Sequence, residues 1–171
     1  SITVENGAKL SVADKGRLIL AAPTVANAGD LQTGKSGQIL LIASKDKVYL
    51  SENSNKPNPG LLVEVGTGGE VTNDKLGSLL ARQGNITLAG FAVNQNGRVT
   101  ATTSTKVNGS IRLLAAQGLE SSSSVGNIRA QETIDALNPD RKATVNLGID
   151  STTQIIADSE DTQAIDEQTQ P

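Results

Sequence analysis

The 171-residue sequence has no cysteine, histidine, methionine or tryptophan, and a single Phe (Phe91) and a single Tyr (Tyr49). Without cysteine there is no disulfide framework and no thiol chemistry. Without histidine the commonest general base and metal ligand are missing. A compact globule of this length would normally centre its core on aromatic rings, so the core must be of another kind. The net charge of −3 lacks the basic excess that a nucleic-acid partner requires. No apolar run approaches the length of a membrane span. The first residues, Ser-Ile-Thr-Val-Glu5, lack the basic and apolar parts of a signal peptide. They begin in mid-pattern, as expected of a fragment of a longer chain.

What is present is Val, Ile, Leu and Ala, with 17 glycines and abundant Ser, Thr, Asn and Gln. Aliphatic side chains fill narrow, regular spaces, and the β-branched ones favour strands. Segments starting at Val4, Val25, Val71 and Val93 share an order: Val-x-Asn or a near variant, a Gly, a short alternating strand, a second Gly, a second alternating strand. Their starts are 21, 46 and 22 residues apart. The second strands match closely, as Gly16-Arg-Leu-Ile-Leu20, Gly37-Gln-Ile-Leu-Leu41, Gly84-Asn-Ile-Thr-Leu88 and Gly109-Ser-Ile-Arg-Leu113. A period in the low twenties with several short strands is a solenoid signature. The leucine-rich pattern is absent, and so is helical periodicity.

The reading is therefore all-β: a right-handed parallel β-helix, or β-solenoid, of about seven coils. Leu18, Leu20, Ile39, Leu41, Ile86, Leu88, Ile111 and Leu113 are expected to point inward and stack. Arg17, Gln38, Thr87 and Arg112 are expected to face solvent. Glycines should sit at corners needing positive φ or close packing. Asn6, Asn27 and Asn73 should form a side-chain ladder. Residues 1–130 are read as coils, with a turn-rich loop inserted at 53–60. Residues 131–171 are read as a looser continuation of the solenoid ending in an acidic segment.

Candidate chemistry is sparse. The acidic run Asp158-Ser-Glu-Asp161 has oxygen ligands suited to Ca²⁺ but no glycine turns, and a solvated acidic tail is the favoured reading. Asp140-Arg141-Lys142 places acid beside base, as in polysaccharide lyases, but follows Asn138-Pro139 in a surface turn. Ser121 to Ser124 have no histidine to activate them. Gly66-Thr-Gly-Gly69 lacks the Lys and the helix of a phosphate-binding loop. Tyr49 and Phe91 are the only rings available for stacking on a glycan. No residue is assigned a catalytic, cofactor-binding or metal-binding role.

Val25-x-Asn-x-Gly29, Gly37-Gln-Ile-x-Leu-Ile-Ala43, Val71-x-Asn73 with Gly84-x-Ile-x-Leu88, and Asn108-Gly-Ser-Ile-x-Leu113 together resemble the haemagglutination-activity (secretion) domain of filamentous-haemagglutinin-type exoproteins. Thr144-Val-Asn-Leu-Gly148, Ile155-Ile156 and Ala164-Ile-Asp-x-Gln-x-Gln-Pro171 are similar to the segment that follows that domain. The family's Asn-Pro-Asn-Leu and Asn-Pro-Asn-Gly-Ile signatures do not occur, so the chain resembles the later part of the domain. The resemblance implies a non-enzymatic scaffold of a secreted or surface-exposed Gram-negative exoprotein acting in adhesion and haemagglutination. It implies an outer-membrane transporter of two-partner secretion as export partner, and a host surface or glycan receptor. Two alternatives remain open: a β-helix polysaccharide lyase or hydrolase, and the stalk of a haem-acquisition or contact-dependent growth-inhibition exoprotein.

Overall fold

The computed structural model describes residues 1–53, 60–116 and 142–161, and among them there is no helix. Sixteen strands, numbered in chain order, build three parallel sheets and one antiparallel hairpin. The first sheet stacks β1 (Ile2–Val4), β4 (Thr24–Asn27), β9 (Glu70–Asn73), β12 (Ala92–Gln95) and β15 (Thr144–Leu147). The second stacks β2 (Lys9–Val12), β5 (Asp30–Thr33), β10 (Ser78–Ala81), β13 (Arg98–Thr103) and β16 (Thr152–Ala157). The third stacks β3 (Arg17–Ala22), β6 (Gln38–Ala43), β11 (Asn85–Gly90) and β14 (Ser110–Ala115). The chain visits the three sheets in the same order each time, an arrangement compatible with a β-helix.

The strand motif sets the register in the third sheet. Leu18, Ile39, Ile86 and Ile111 form one row, and Leu20, Leu41, Leu88 and Leu113 another, as the repeated Gly-x-Ile-x-Leu spacing predicts. Val25, Val71 and Val93 of the first sheet and Leu31, Leu79 and Val99 of the second join Ile39 and Ile86 in one aliphatic core. Three sheets meeting over short branched side chains leave no space for rings, which explains the near absence of aromatics. Leu20, Ile111 and Leu113 pack against this core while remaining partly exposed.

The asparagine ladder is real but its membership differs from expectation. Asn27 Nδ2 donates to Asn73 Oδ1 (2.8 Å), and Asn73 Nδ2 donates to Gln95 Oε1 (2.8 Å). Asn6 is exposed and takes no part, because Val25 pairs with Ile2 rather than with Val4. Gln95, one methylene longer, is the third member and reaches on to the Thr152 carbonyl (3.0 Å). Each buried amide thus has partners in neighbouring layers.

The expected corner glycines divide by cause. Lys15, Ser36 and Gln83 carry the positive φ (60°, 58° and 46°). The glycines that follow them serve close approach instead. A Cβ on Gly37 would lie 2.5 Å from Thr33 Cβ.

The insertion is larger than the loop read at 53–60. β7 (Val48–Asn53) and β8 (Gly60–Val65) form an antiparallel hairpin between β6 and β9. Residues 54–59 lie outside the described residues. The hairpin packs on the outer face of the third sheet, where Leu61, Val63 and Val65 bury Leu40, Ile42 and Ala89. The solvent-facing expectation therefore fails for Gln38 and Thr87, which are both buried. It holds for Arg17, which is exposed, while Arg112 is half-buried. Gln38 takes a structural role: its Nε2 donates to the Leu61 carbonyl and its Oε1 accepts from the Leu61 amide, both at 2.9 Å. A side-chain amide thereby stands in for a strand neighbour and pins the hairpin. With both faces covered, β6 reads as an unbroken apolar run from Ile39 to Ala43.

Candidate functional site

The densest polar constellation lies at the corner between the second and third sheets. There the chain turns from β5 to β6, β10 to β11 and β13 to β14, and continues past β16. Arg82 and Gln83 leave β10, Thr102 sits on β13, and Asp158 and Glu160 follow β16. Asp158 is buried, its side chain 3% exposed. It accepts from Arg82 Nη2 (3.2 and 3.4 Å), Gln83 Nε2 (3.0 Å), Thr102 Oγ1 (3.2 Å) and the Glu160 amide (3.1 Å). Arg82 Nη1 also reaches Glu160 Oε2 at 2.6 Å. Burial alone would raise the Asp158 pKa. The Glu160 amide, the Arg82 and Gln83 hydrogen bonds and the Arg82 charge outweigh it and hold the carboxyl below its ordinary value.

An open groove of about 380 Å³ runs beside this network, with Lys35 and Lys106 facing Glu160 and Asp161. Ser104, in its wall, is not set up as a nucleophile. Its Oγ accepts from the Lys106 and Val107 amides (3.3 and 3.0 Å), capping a turn. Asp158, committed to a guanidinium and held ionised, is poorly placed as a proton acceptor near neutral pH. What this corner does is join layers: Asp158 ties the last described layer to Arg82 and Gln83, two layers away in the stack.

The solvated-tail reading of Asp158-Ser-Glu-Asp161 is corrected accordingly. Its first carboxylate is a buried ion-pair acceptor, although Glu160 is exposed. No group of three or more acidic, His or Cys side chains suited to a metal ion occurs among the described residues. Gly66-Thr-Gly-Gly69 does face an anion, but one from its own chain. Asp46 Oδ1 accepts from the Thr67 amide (2.8 Å) and the Lys47 amide (2.6 Å). Hydrogen bonds from Lys47, then Ser44 and Thr67, overcome desolvation and lower its pKa. A Cβ at Gly66 would fall on that carboxylate. Tyr49 is exposed on the hairpin, and Phe91 is half-buried at the start of the fourth pass. Ser121 to Ser124, Asp140 and Arg141 lie outside the described residues, and Lys142 is exposed. The Asp158 network left no local trace in the sequence, because its side-chain partners Thr102, Gln83 and Arg82 are 56, 75 and 76 residues away.

Acid should loosen this corner. A carboxyl whose folded pKa is depressed contributes stability that is fully present above its unfolded value. That stability is lost as pH falls through the folded value. Urea midpoints of the wild type should fall below about pH 4. Asp158→Asn should start less stable at pH 7 and show a flatter acid limb. An acid limb of equal steepness in both proteins would remove Asp158 from the account.

No family model, no curated protein and no solved structure matches the chain. No helix among the described residues is long and apolar enough to cross a membrane.

Proposed function

We propose that the chain is a right-handed parallel β-helix of about seven coils, forming a non-enzymatic segment of a large bacterial exoprotein. In this reading the exoprotein is of the filamentous haemagglutinin type, secreted or displayed on the outer surface of a Gram-negative cell. The segment serves as scaffold during two-partner secretion and as part of the rod that adheres to host surfaces or glycans. The observation that supports it is the recurrence of one strand pattern in four layers of a sheet, Gly-x-Ile-x-Leu in three and Gly-x-Leu-x-Leu in the first, in register, around a core shared by three sheets. Such a stack presents long regular faces and grows by repetition, which suits an extended display rod. The polar corner favours no competing catalytic reading, since its buried carboxylate is held in an ion pair.

Antibodies raised against the 171-residue chain should label intact, unpermeabilised source cells or their culture fluid. Beads coated densely with the chain should agglutinate erythrocytes. Labelling confined to the cell interior would overturn the surface role. Unsaturated ends appearing in a polyuronide incubated with the chain would overturn the non-enzymatic role.

A further inference from the structure

The sequence holds three Asn-Gly pairs, Asn6-Gly7, Asn96-Gly97 and Asn108-Gly109. In such a pair the glycine nitrogen can attack the asparagine side-chain carbonyl, because no Cβ shields it and glycine adopts the conformations that ring closure needs. The attack requires the peptide between the two residues to rotate and the asparagine side chain to swing over it. The three pairs differ in that freedom. Asn6 and Gly7 are both exposed, Gly7 has a φ of +82°, and a Cβ built on it meets nothing within 4 Å. They form the middle of a turn closed by the Ala8 amide, which donates to the Glu5 carbonyl (3.0 Å). Such a turn can flip its central peptide and keep that bond. Bonds to the next layer leave from either side of the pair, where the Val4 and Ala8 carbonyls accept from the Ala28 and Asp30 amides (2.8 and 2.9 Å). Gly97 and Gly109, by contrast, are buried. A Cβ on Gly97 would lie 2.2 Å from the Asp74 carbonyl oxygen, and one on Gly109 2.3 Å from that of Thr102. The Asn96 amide donates to the Asn73 carbonyl (2.8 Å) and the Gly97 carbonyl accepts from the Thr152 amide (2.9 Å), which ties this pair to the layers on both sides. The Asn108 Oδ1 is engaged as well, accepting from Thr103 Oγ1 (3.2 Å).

We propose that Asn6 is a self-modification site, which the folded chain converts to aspartate and isoaspartate while it preserves Asn96 and Asn108. The Gly7 nitrogen gives its proton to solvent base and bonds to Asn6 Cγ. The Cγ–Nδ2 bond breaks, and the nitrogen takes up a proton and leaves as ammonia. Water then opens the five-membered imide. Breaking the ring bond at Cγ gives aspartate. Breaking it at the main-chain carbonyl carbon gives isoaspartate, whose backbone runs through Cβ and Cγ. Either product sets a new carboxylate beside the exposed Glu5. The extra backbone atom of isoaspartate falls in the open turn, between the carbonyls that anchor it. The inference is independent of the adhesion reading.

Trypsin cuts after Lys9, Arg82, Arg98, Lys106 and Arg112, which places the three pairs in separate peptides, 1–9, 83–98 and 107–112. The whole folded chain is incubated in mildly alkaline buffer, digested and mapped by mass spectrometry with fragmentation. Peptide 1–9 should gain the mass of an amide nitrogen exchanged for oxygen and split into aspartyl and isoaspartyl forms. Its rate should exceed those at Asn96 and Asn108 by about tenfold or more, since distorting a packed corner raises the barrier. In urea the three rates should converge. Gly7→Ala should slow the change at Asn6 by about tenfold, because its Cβ shields the attacking nitrogen. An unchanged Asn6, or a rate at Asn96 or Asn108 equal to or above that at Asn6 in the folded chain, would overturn the proposal. So would a preference for Asn6 that persists in urea, a product without isoaspartate, or a rate indifferent to Gly7→Ala.

Discussion

Ile86→Asp is expected to abolish the folded state, whereas Thr87→Asp should keep the three sheets folded and release the hairpin. Ile86 is 0% exposed and lies between Ile39 and Ile111. A carboxylate there has no partner, and an uncompensated buried charge costs several kcal/mol. That is a large part of the roughly 5–15 kcal/mol that stabilises a domain of this kind. The layers cannot part to admit water without breaking the ladders on both sides. Ile86→Val, which removes one methyl group, should cost only about 1 kcal/mol. Thr87 points the other way but is 2% exposed, beneath the hairpin. A carboxylate at 87 is also penalised, yet here the covering element can lift. The loss is then capped at the free energy of docking the hairpin. Urea midpoints should fall far more for Ile86→Asp than for Thr87→Asp. Trypsin should cut faster at the exposed Lys45 and Lys47 in Thr87→Asp. Unchanged midpoint and cleavage in Thr87→Asp would deny that the hairpin covers it. Equal collapse of both variants would deny the facing of the strand.

The same pair of residues marks how far the sequence could be read. Alternation told inside from outside correctly at Ile86 and Thr87, because a strand has no other periodicity. It did not tell what lies beyond the outside. The hairpin strands, Val48-Tyr-Leu50 and Leu61-Leu-Val-Glu-Val65, carry the same aliphatic alternation as the stacked strands. Antiparallel pairing leaves no mark on composition, so only the turn-rich 53–60 stood out as an insertion. Register was legible where Gly-x-Ile-x-Leu recurs. It was missed by two residues at the first layer, where Val4-x-Asn6 imitates Val25-x-Asn27 locally while Ile2 is the true partner of Val25. The polar corner was illegible for a different reason. Arg82 and Asp158 meet only because intervening layers bring β10 and the end of β16 to one edge.

Gly84→Ala is expected to be among the most damaging single-methyl changes in the chain. A Cβ there would lie 2.2 Å from the Gly37 carbonyl oxygen and 3.1 Å from the Gly37 nitrogen, both backbone atoms of the layer below. That oxygen already accepts from the Asn85 amide at 3.0 Å, and the Gly84 carbonyl accepts from the Ser110 amide at 3.0 Å. Moving the corner to relieve the clash therefore stretches hydrogen bonds to the layers on either side. Overpacking against backbone that cannot rotate away should cost about 3 kcal/mol. Gly7 provides the contrast. It has a φ of +82° and nothing within 4 Å of a built Cβ, so the burden of Gly7→Ala is conformational alone. A left-handed alanine costs about 1–2 kcal/mol, partly offset by the smaller freedom of alanine in the unfolded chain. The urea midpoint of Gly84→Ala should fall well below that of Gly7→Ala, and Gly84→Ser should be no better than Gly84→Ala. If Gly7→Ala is the worse variant, backbone conformation rather than the closeness of successive layers is what demands glycine at these corners.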